Sequence, residues 1–523
     1  MKLASTEAMT LIDSLARERY AMPSLLLMEN AGIKAWLMFR EWAGRGGVPA
    51  GGMVFVAGRG NNGGDALVMA RQAFLDGARD LAIITAAGRP QAGGRPQAAG
   101  EPGQGLAMCE SLGIECVAWP EQGELCRDKL AVARWIFDGV AGTGIRGALQ
   151  APLPELVGAM NGSAGRRIAI DVPSGVRDGF QKGDPAVRAD LTLTMGLPKL
   201  SLYLPHARGF CGRIRVVRLG FPPALVEDPA IPGESLDEGS WRSLLAPIPA
   251  DAHKGTRGHL AVFAGSLGTT GAASLAACAA ARSRAGLVSL FLDPDVYPLV
   301  APGLRSVMAK PSSPPGTGFD PSVYSAALVG PGWGLAPDRE RWLERLISTG
   351  LPGVIDADAL TLLGRLETPA LGGRWVLTPH PGEFARLGGV AKEEVLSDPP
   401  ARALSMAASR DAVVVLKGAS TCVAAPSGRF WILDGRNPAL ATGGSGDVLA
   451  GIIAGGMASG MAPLEAALFG VSLHARVGRI ARRLMGWFLA EDLLPLISRT
   501  LGRADEKMRR VRTPRMRRVR TPQ

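Results

Sequence analysis

Short, continuously apolar runs alternate along this chain with stretches of helical spacing, and they do so in two series. In the first, the strand-like runs are the segment around Met53–Ala57, "DLAIITAAG", "RWIFDGV" and "RIAIDVPSG". A helical start containing "PSLLLMENAGIKAWLMF" precedes them, and a helix is expected from Asp65. Strands that are apolar on both faces and separated by helices build a parallel sheet covered on either side. Between Phe221 and Asp251 the pattern stops and prolines crowd in, which marks a boundary. It then resumes with "HLAVFAGS", "GLVSLFLDP", "AALVGPGWG", "GVIDADAL", "WVLTPHPGEF" and "AVVVLKGAST", and with the Ala-rich helix "GAASLAACAAARSRAG". Two successive α/β domains are therefore expected, at 1–221 and 240–500, joined by a linker at 222–239. A length of 523 residues is too great for one compact domain and suits two large ones.

Composition narrows the partners. Hydrophobic residues at 47% and charged residues at 20% describe an ordinary globular protein able to bury a large core. The net charge of +11 invites a nucleic-acid reading, but from Lys507 onward there are eight basic residues and no acid. Without that tail the chain carries only +3. The tail repeats itself, "MRRVRTPR" being followed at once by "MRRVRTPQ", and such basic low-complexity sequence buries no core. Residues 501–523 are thus expected to be disordered, and no specific nucleic-acid partner is implied. The segment 88–105, rich in Gly, Pro and Gln, is expected to be a mobile loop. Six cysteines without a C-x-x-C point to reduced thiols in a cytoplasmic protein. No secretory h-region occurs near Met1, and Val448–Leu464, with four glycines and a proline, reads as a buried core helix rather than a membrane span.

The run "FVAGRGNNGGDALVMARQAF" satisfies G-x-G-x-x-G at Gly58, Gly60 and Gly63. A dinucleotide fingerprint should be followed by an acid at the end of the next strand. That strand ends instead in Thr85 and alanines, so the dehydrogenase reading loses its ribose anchor. What the loop offers is the amides of Asn61 and Asn62 and the carboxylate of Asp65. Two further strands end in oxygen donors: "IFDGVAGTGIRG" at Asp138, and "IAIDVPSG" at Asp171 and Ser174. Ligands collect at the carboxyl ends of parallel strands, so these loops should converge. Asn62, Asp138 and Ser174 are candidate hard-oxygen ligands for a cation, and the backbone N–H groups of Gly142–Ala148 a phosphate cradle.

"MENAG", "GNNGGD", "DGVAGTGIRG" and "DVPSG", in that order, resemble the NAD(P)H-hydrate epimerase domain over roughly residues 1–220. The resemblance implies a Rossmann-like three-layer fold and a potassium ion held by Asn62, Asp138 and Ser174. It implies hydrate binding by Asn61, Asn62, Gly63, Gly64 and Asp65, by Gly142, Thr143, Gly144, Ile145, Arg146, Gly147 and Ala148, and by Asp171, which is also a candidate catalytic residue. One departure is Ala66, where the family commonly has glycine.

The second series ends in "TGGSGDVLAG", glycines running into a helix N-terminus with one acid, Asp447. No Walker loop and no protein-kinase H-R-D or D-F-G accompanies it. Free N–H groups at such a terminus stabilise charge on a transferred phosphoryl group, and an adjacent carboxylate can accept a hydroxyl proton. Together with "HKGTRGHLAVFAGSLGTTGAA", "VGPGWG", "DADAL", "TPHPGE" and "LKGAST", this resembles the NAD(P)H-hydrate dehydratase domain, of ribokinase-like α/β fold, over roughly 240–500. The resemblance implies substrate contacts from Ala272, Gly332, His380 and Asp447, with Asp447 catalytic. Nucleotide contacts are implied from Lys417, Gly418, Ala419, Ser420, Thr421 and Gly446. It further implies ADP or ATP as co-substrate, with ADP favoured in a fused protein, and Mg2+ with it. "GTTGA" departs from the aromatic-containing form of that loop. His253, His259 and His474 read as structural.

The implied chemistry is metabolite repair. A hydroxyl on a hydrated nicotinamide ring leaves poorly; phosphorylation makes it a good leaving group that the ring nitrogen can expel. Such a dehydratase takes one epimer, and a fused epimerase makes both repairable. A homo-oligomer without membrane attachment is expected. Two rivals stand beside this reading: a ribokinase-like kinase for a vitamin precursor or sugar, and an RNA-associated scaffold using the basic tail.

Overall fold

The computed structural model describes residues 1–44, 46–86, 100–312, 318–367 and 370–512. The chain folds as two compact units, Met1–Glu234 and Ser235 onward. The proline-rich stretch around their boundary is not bare linker, since it forms a short helix Pro223–Val226 and a strand Gly233–Leu236.

In the first unit the described residues form a seven-stranded sheet. Its order is Glu115–Ala118, Leu81–Thr85, Met53–Ala57, Trp135–Gly139, Arg166–Ile170, Leu191–Met195, Arg213–Val217, and every pairing is parallel. The central strands are buried along their whole length, as continuous apolar runs require. Phe55 and Phe137 stack across neighbouring strands at 4.2 Å, and Trp36 and Phe39 of the helix Ser24–Gly44 close over them. The order in which strands are added reverses between Met53–Ala57 and Trp135–Gly139, one series growing outward on each side. A crevice opens outside the strand ends at such a switch point, and this one receives the loops after both strands.

The helix after Met53–Ala57 runs Asn61–Leu75, so "NNGGD" is its first turn and not a loop before it. Asn and Gly normally favour turns, but tertiary packing overrides that preference here. A Cβ on Gly63 would lie 1.9 Å from the Gly58 carbonyl oxygen, so only glycine lets this turn sit on the strand exit. Ala66, the family departure, is buried in the helix, its methyl 2.6 Å from where a Cβ on Gly139 would stand. Of the segment expected to be a mobile loop, 88–99 lie outside the described residues, and from Gly100 the chain is helical, Gly100–Ser111.

The second unit carries the parallel run Met308–Pro311, Leu287–Leu292, His259–Phe263, Ala326–Val329, Gly353–Ile355, Trp375–Leu377, Val413–Leu416. The antiparallel strands Ser420–Ala424 and Phe430–Asp434 extend it. Its switch point lies between His259–Phe263 and Ala326–Val329. Against the sheet pack two small-residue helices, Thr270–Ser283 and Ser445–Ala458. They approach so closely that a Cβ on Gly451 would meet the Ala276 carbonyl oxygen at 2.2 Å. Val448–Ala458 is buried throughout, but the helix stops there and another begins at Pro463, so the uncharged stretch to Leu464 is not a single core helix. The last helix, Ala490–Arg512, carries helical structure beyond residue 500, and 513–523 lie outside the described residues. No described helix is long and apolar enough to cross a membrane.

Candidate active sites

In the first unit a cavity of about 710 Å³ opens at the switch point. Asn61, Asn62, Asp65, Gly142–Ile145 and Asp171 line it, so three strand-end loops converge as the sequence led us to expect. Gly63 and Gly64 do not line it; they pack on Gly58 and Met28. Arg146, Gly147 and Ala148 also fall outside the lining. Among the described residues no acceptor is hydrogen-bonded to the backbone N–H groups of Gly142–Ala148, which leaves them free as anion donors.

Asp138 and Ser174 are wholly buried beside this cavity without lining it. Ser174 donates its backbone N–H (2.8 Å) and its hydroxyl to the Asp138 carboxylate and accepts from Ala141 N–H at 2.8 Å. Burial pushes the Asp138 carboxyl up to about 6, against the opposing hydrogen bonds of Ser174 and Val140. Asn62, packed under Gly142, has both amide atoms buried with no hydrogen-bond partner. An orphaned amide beside a buried carboxylate is costly unless something polar completes it, and a cation would.

Asp171 closes the site from the end of Arg166–Ile170. Its backbone is left-handed (φ 64°), a strained state for a non-glycine residue. Its carboxylate accepts from Met195 N–H at 3.0 Å and from Lys199 Nζ, which also donates to the Met195 carbonyl. Sequence reasoning missed Lys199, a lone cation 2% exposed in the apolar stretch after Leu191–Met195, and Asp13 on the helix Thr6–Tyr20. Both line the cavity. Burial first, and then the Asp171 carboxylate, raise the Asp65 carboxyl well above the usual range, with Lys199 opposing.

In the second unit Ala272 and Gly332 meet at the switch point through Thr269. Gly332 has a left-handed backbone (φ 55°), and its carbonyl accepts from Thr269 Oγ1 at 2.8 Å; Ala272 N–H bonds the Thr269 carbonyl at 3.3 Å. Gly444, the cap of Ser445–Ala458, sits against the same helix: a Cβ there would lie 2.5 Å from Leu275. Ser445 N–H turns back to the Thr442 carbonyl at 3.4 Å. Among the described residues the N–H groups of Gly446 and Asp447 bond no protein acceptor, as the first turn of a helix permits.

Lys417 anchors this site. Its Nζ lies 2.9 Å from Asp356 and 3.9 Å from Glu383, and 3.4 Å from where a Cβ on Gly446 would stand. Burial, the largest influence, opposes its charge, but Asp356 and Glu383 outweigh it and the ammonium titrates above its ordinary value. Burial and the Asp356 carboxylate push Asp447 up to about 7, while Lys417 pulls it down. Lys417 thus belongs structurally with the acids around Asp447, whereas Gly418 and Ala419 form the turn into the strand Ser420–Ala424, which Ser420 and Thr421 begin. Ser420 Oγ is buried there without a partner, and Thr421 Oγ1 bonds the Gly418 carbonyl at 3.3 Å.

His380 has structural work as well as a place in the site. Its Nδ1 accepts from the N–H groups of Gly382 (3.0 Å) and Glu383 (3.2 Å), and Glu383 accepts from His380 N–H, a reciprocal cap on Pro381–Gly388. Among the histidines read as structural, His259 bonds Ser289 at 2.9 Å. His474 lies by the backbone of Ser445, and burial pushes its imidazole down to about 4.

Residues 260–499 match the family described as NAD(P)H-hydrate dehydratase, and residues 24–201 match the YjeF-related protein N-terminus. The bifunctional NAD(P)H-hydrate repair enzyme Nnr of Moorella thermoacetica is 33% identical over 98% of each chain. The chain belongs to the bifunctional NAD(P)H-hydrate repair enzyme family. The Nnr enzymes of Coxiella burnetii (35% identity, 84% of this chain and 88% of that one) and Salinibacter ruber (34%, 97% of each) agree. A crystal structure of the Bacillus subtilis ADP/ATP-dependent NAD(P)H-hydrate dehydratase, co-crystallised with ATP/Mg2+, is 31% identical. It covers 52% of this chain and 98% of its own, with a TM-score of 0.48. In this repair-enzyme family the kinase alternative is not favoured, and both domains are matched in the order of their motifs.

Proposed function

We propose that the first unit interconverts the R and S hydrates of NADH and NADPH, and that the second dehydrates the S form using ADP or ATP. The observation that carries this reading is that, in each unit, the family's motif residues gather at the strand ends of a parallel sheet around a carboxyl with raised pKa.

In the second unit Asp447 takes the proton of the substrate hydroxyl as the oxygen bonds the transferred phosphoryl group. A base titrating near 7 suits that task at neutral pH. The free N–H groups of Gly446 and Asp447 face the charge that develops, and the residues 418–421 hold the nucleotide. The ring nitrogen then expels phosphate, loss of the neighbouring ring proton restores the dihydronicotinamide, and free phosphate is released. Mg2+ would enter with the nucleotide, since that ion is held by the substrate phosphates together with one or two carboxylates.

In the first unit the orphaned Asn62 amide, the Asp138 carboxylate and the Ser174 hydroxyl fit a potassium ion. Bound there, the ion supplies a fixed positive charge. The N–H groups of Gly142–Ile145 take the hydrate's phosphates, and Asn61, Asn62, Asp65 and Asp171 face the ring.

The test is incubation with a mixture of NADH hydrate epimers and each nucleotide in turn, following NADH absorbance. Both activities together convert the whole mixture and release one phosphate per NADH formed. Conversion stopping at the S fraction would refute the epimerase, and a stable phosphorylated product would restore the kinase alternative.

A further inference from the structure

Six ionisable side chains line the first unit's cavity: Asp13, Arg17, Arg59, Asp65, Asp171 and Lys199. Their partners divide them. Asp171 is clamped by Lys199 Nζ and Met195 N–H, and Lys199 also donates to the Met195 carbonyl. Asp65 is 8% exposed, and among the described residues no protein donor is hydrogen-bonded to its carboxyl. Burial this deep without a donor favours the neutral, acid form, and the nearby charges of Asp171 and Asp13 act in the same direction, with Lys199 opposing. One acid and one clamped carboxylate around a single cavity make an acid–base pair.

We propose that Asp65 is the general acid and Asp171 the general base of epimerisation, and that Lys199 is the positioning residue that fixes Asp171 for this role. The proposal rests on the first unit being the epimerase. The hydroxyl-bearing carbon is bonded to the ring nitrogen. Asp65 gives its proton to the hydroxyl as the C–O bond breaks, the nitrogen lone pair forms a C=N bond, and water leaves. A water then adds from the opposite face: its oxygen bonds the carbon, the π pair returns to nitrogen, and Asp171 takes the proton. The two carboxyls have exchanged protonation states, and exchange with solvent resets them.

Three measurements on the full chain test this. Run in oxygen-18 water, wild-type interconversion places one solvent oxygen in each epimer formed; retention of the original oxygen overturns the cationic route. Asp65→Asn slows epimer interconversion by about 10²–10⁴-fold, the usual loss of a proton-transfer group. Lys199→Ala lowers kcat roughly tenfold to a hundredfold, the range seen when an orienting partner is lost, with KM little changed. Propylammonium then restores the rate and sodium at equal ionic strength does not. Lack of rescue, or near-normal interconversion in Asp65→Asn, overturns the assignment. A wild-type protein that interconverts no epimers at all would instead refute the function on which the proposal rests.

Discussion

The two units solve one electrostatic problem with the same parts and reach different answers. Each sets a lysine against an aspartate at the end of a parallel strand, buried Lys199 on half-buried Asp171 and half-buried Lys417 on buried Asp356. Each leaves a second aspartate nearby, Asp65 or Asp447, whose carboxyl is raised first by burial. Asp65 is almost wholly enclosed and is driven well above the usual range, which suits an acid. Asp447 sits half-buried at a helix N-terminus with Lys417 pulling against burial, and stops at about 7, which suits a base. What distinguishes the roles is the depth of burial set against one lysine, not the kind of residue.

Removing that lysine should push the second site toward the first. In Lys417→Met the Asp356 carboxylate stays buried without its cation, so the second unit should lose about 3–5 kcal/mol in denaturant titration. Lys417 also lowers Asp447, so the acidic limb of the dehydration pH profile should move above 7. An unshifted limb would separate Asp447 from Lys417. The next effect in size keeps the sites apart: Asp138→Ala should slow epimer interconversion by roughly 10–100-fold and weaken its dependence on potassium. Dehydration of S-hydrate should be unaffected. Normal interconversion without potassium would remove the cation site from the comparison.

The shared scaffold is visible in the sequence, because strand ends, glycine turns and helix starts are local signals. The motifs "NNGGD", "DVPSG" and "GGSGD" mark where backbone must pass close or a helix must begin. Pairings made across the fold are not visible there. Lys199, beyond the strand Leu191–Met195, finds Asp171 at the end of the neighbouring strand, and His474 meets Ser445 from a different helix; neither residue stands in a motif of its own. Asp356 lies in the motif "DADAL", yet its tie to Lys417 needs three neighbouring strands in register. Asn and Gly read as turn formers, so the sequence alone starts the helix Asn61–Leu75 too late, and only the contact with Gly58 shows why they are helical.

The smallest effect is expected furthest from both sites. Ending the chain at Arg512 removes only duplicated basic sequence, so both activities should persist and stability should change by less than about 0.5 kcal/mol. A loss of either activity would bring the tail into the account.

The division of roles stands or falls on Asp447. Above pH about 7 it is a carboxylate able to accept the hydroxyl proton, and below that it is neutral. Dehydration of S-hydrate by the wild-type chain should therefore fall as pH drops through about 7. Asp447→Asn, measured beside it for NADH formation, should lose about 10²–10⁴-fold and the pH limb with it, while nucleotide affinity by calorimetry and epimer interconversion remain. Near-normal NADH formation in Asp447→Asn, with the pH limb intact, would contradict the account.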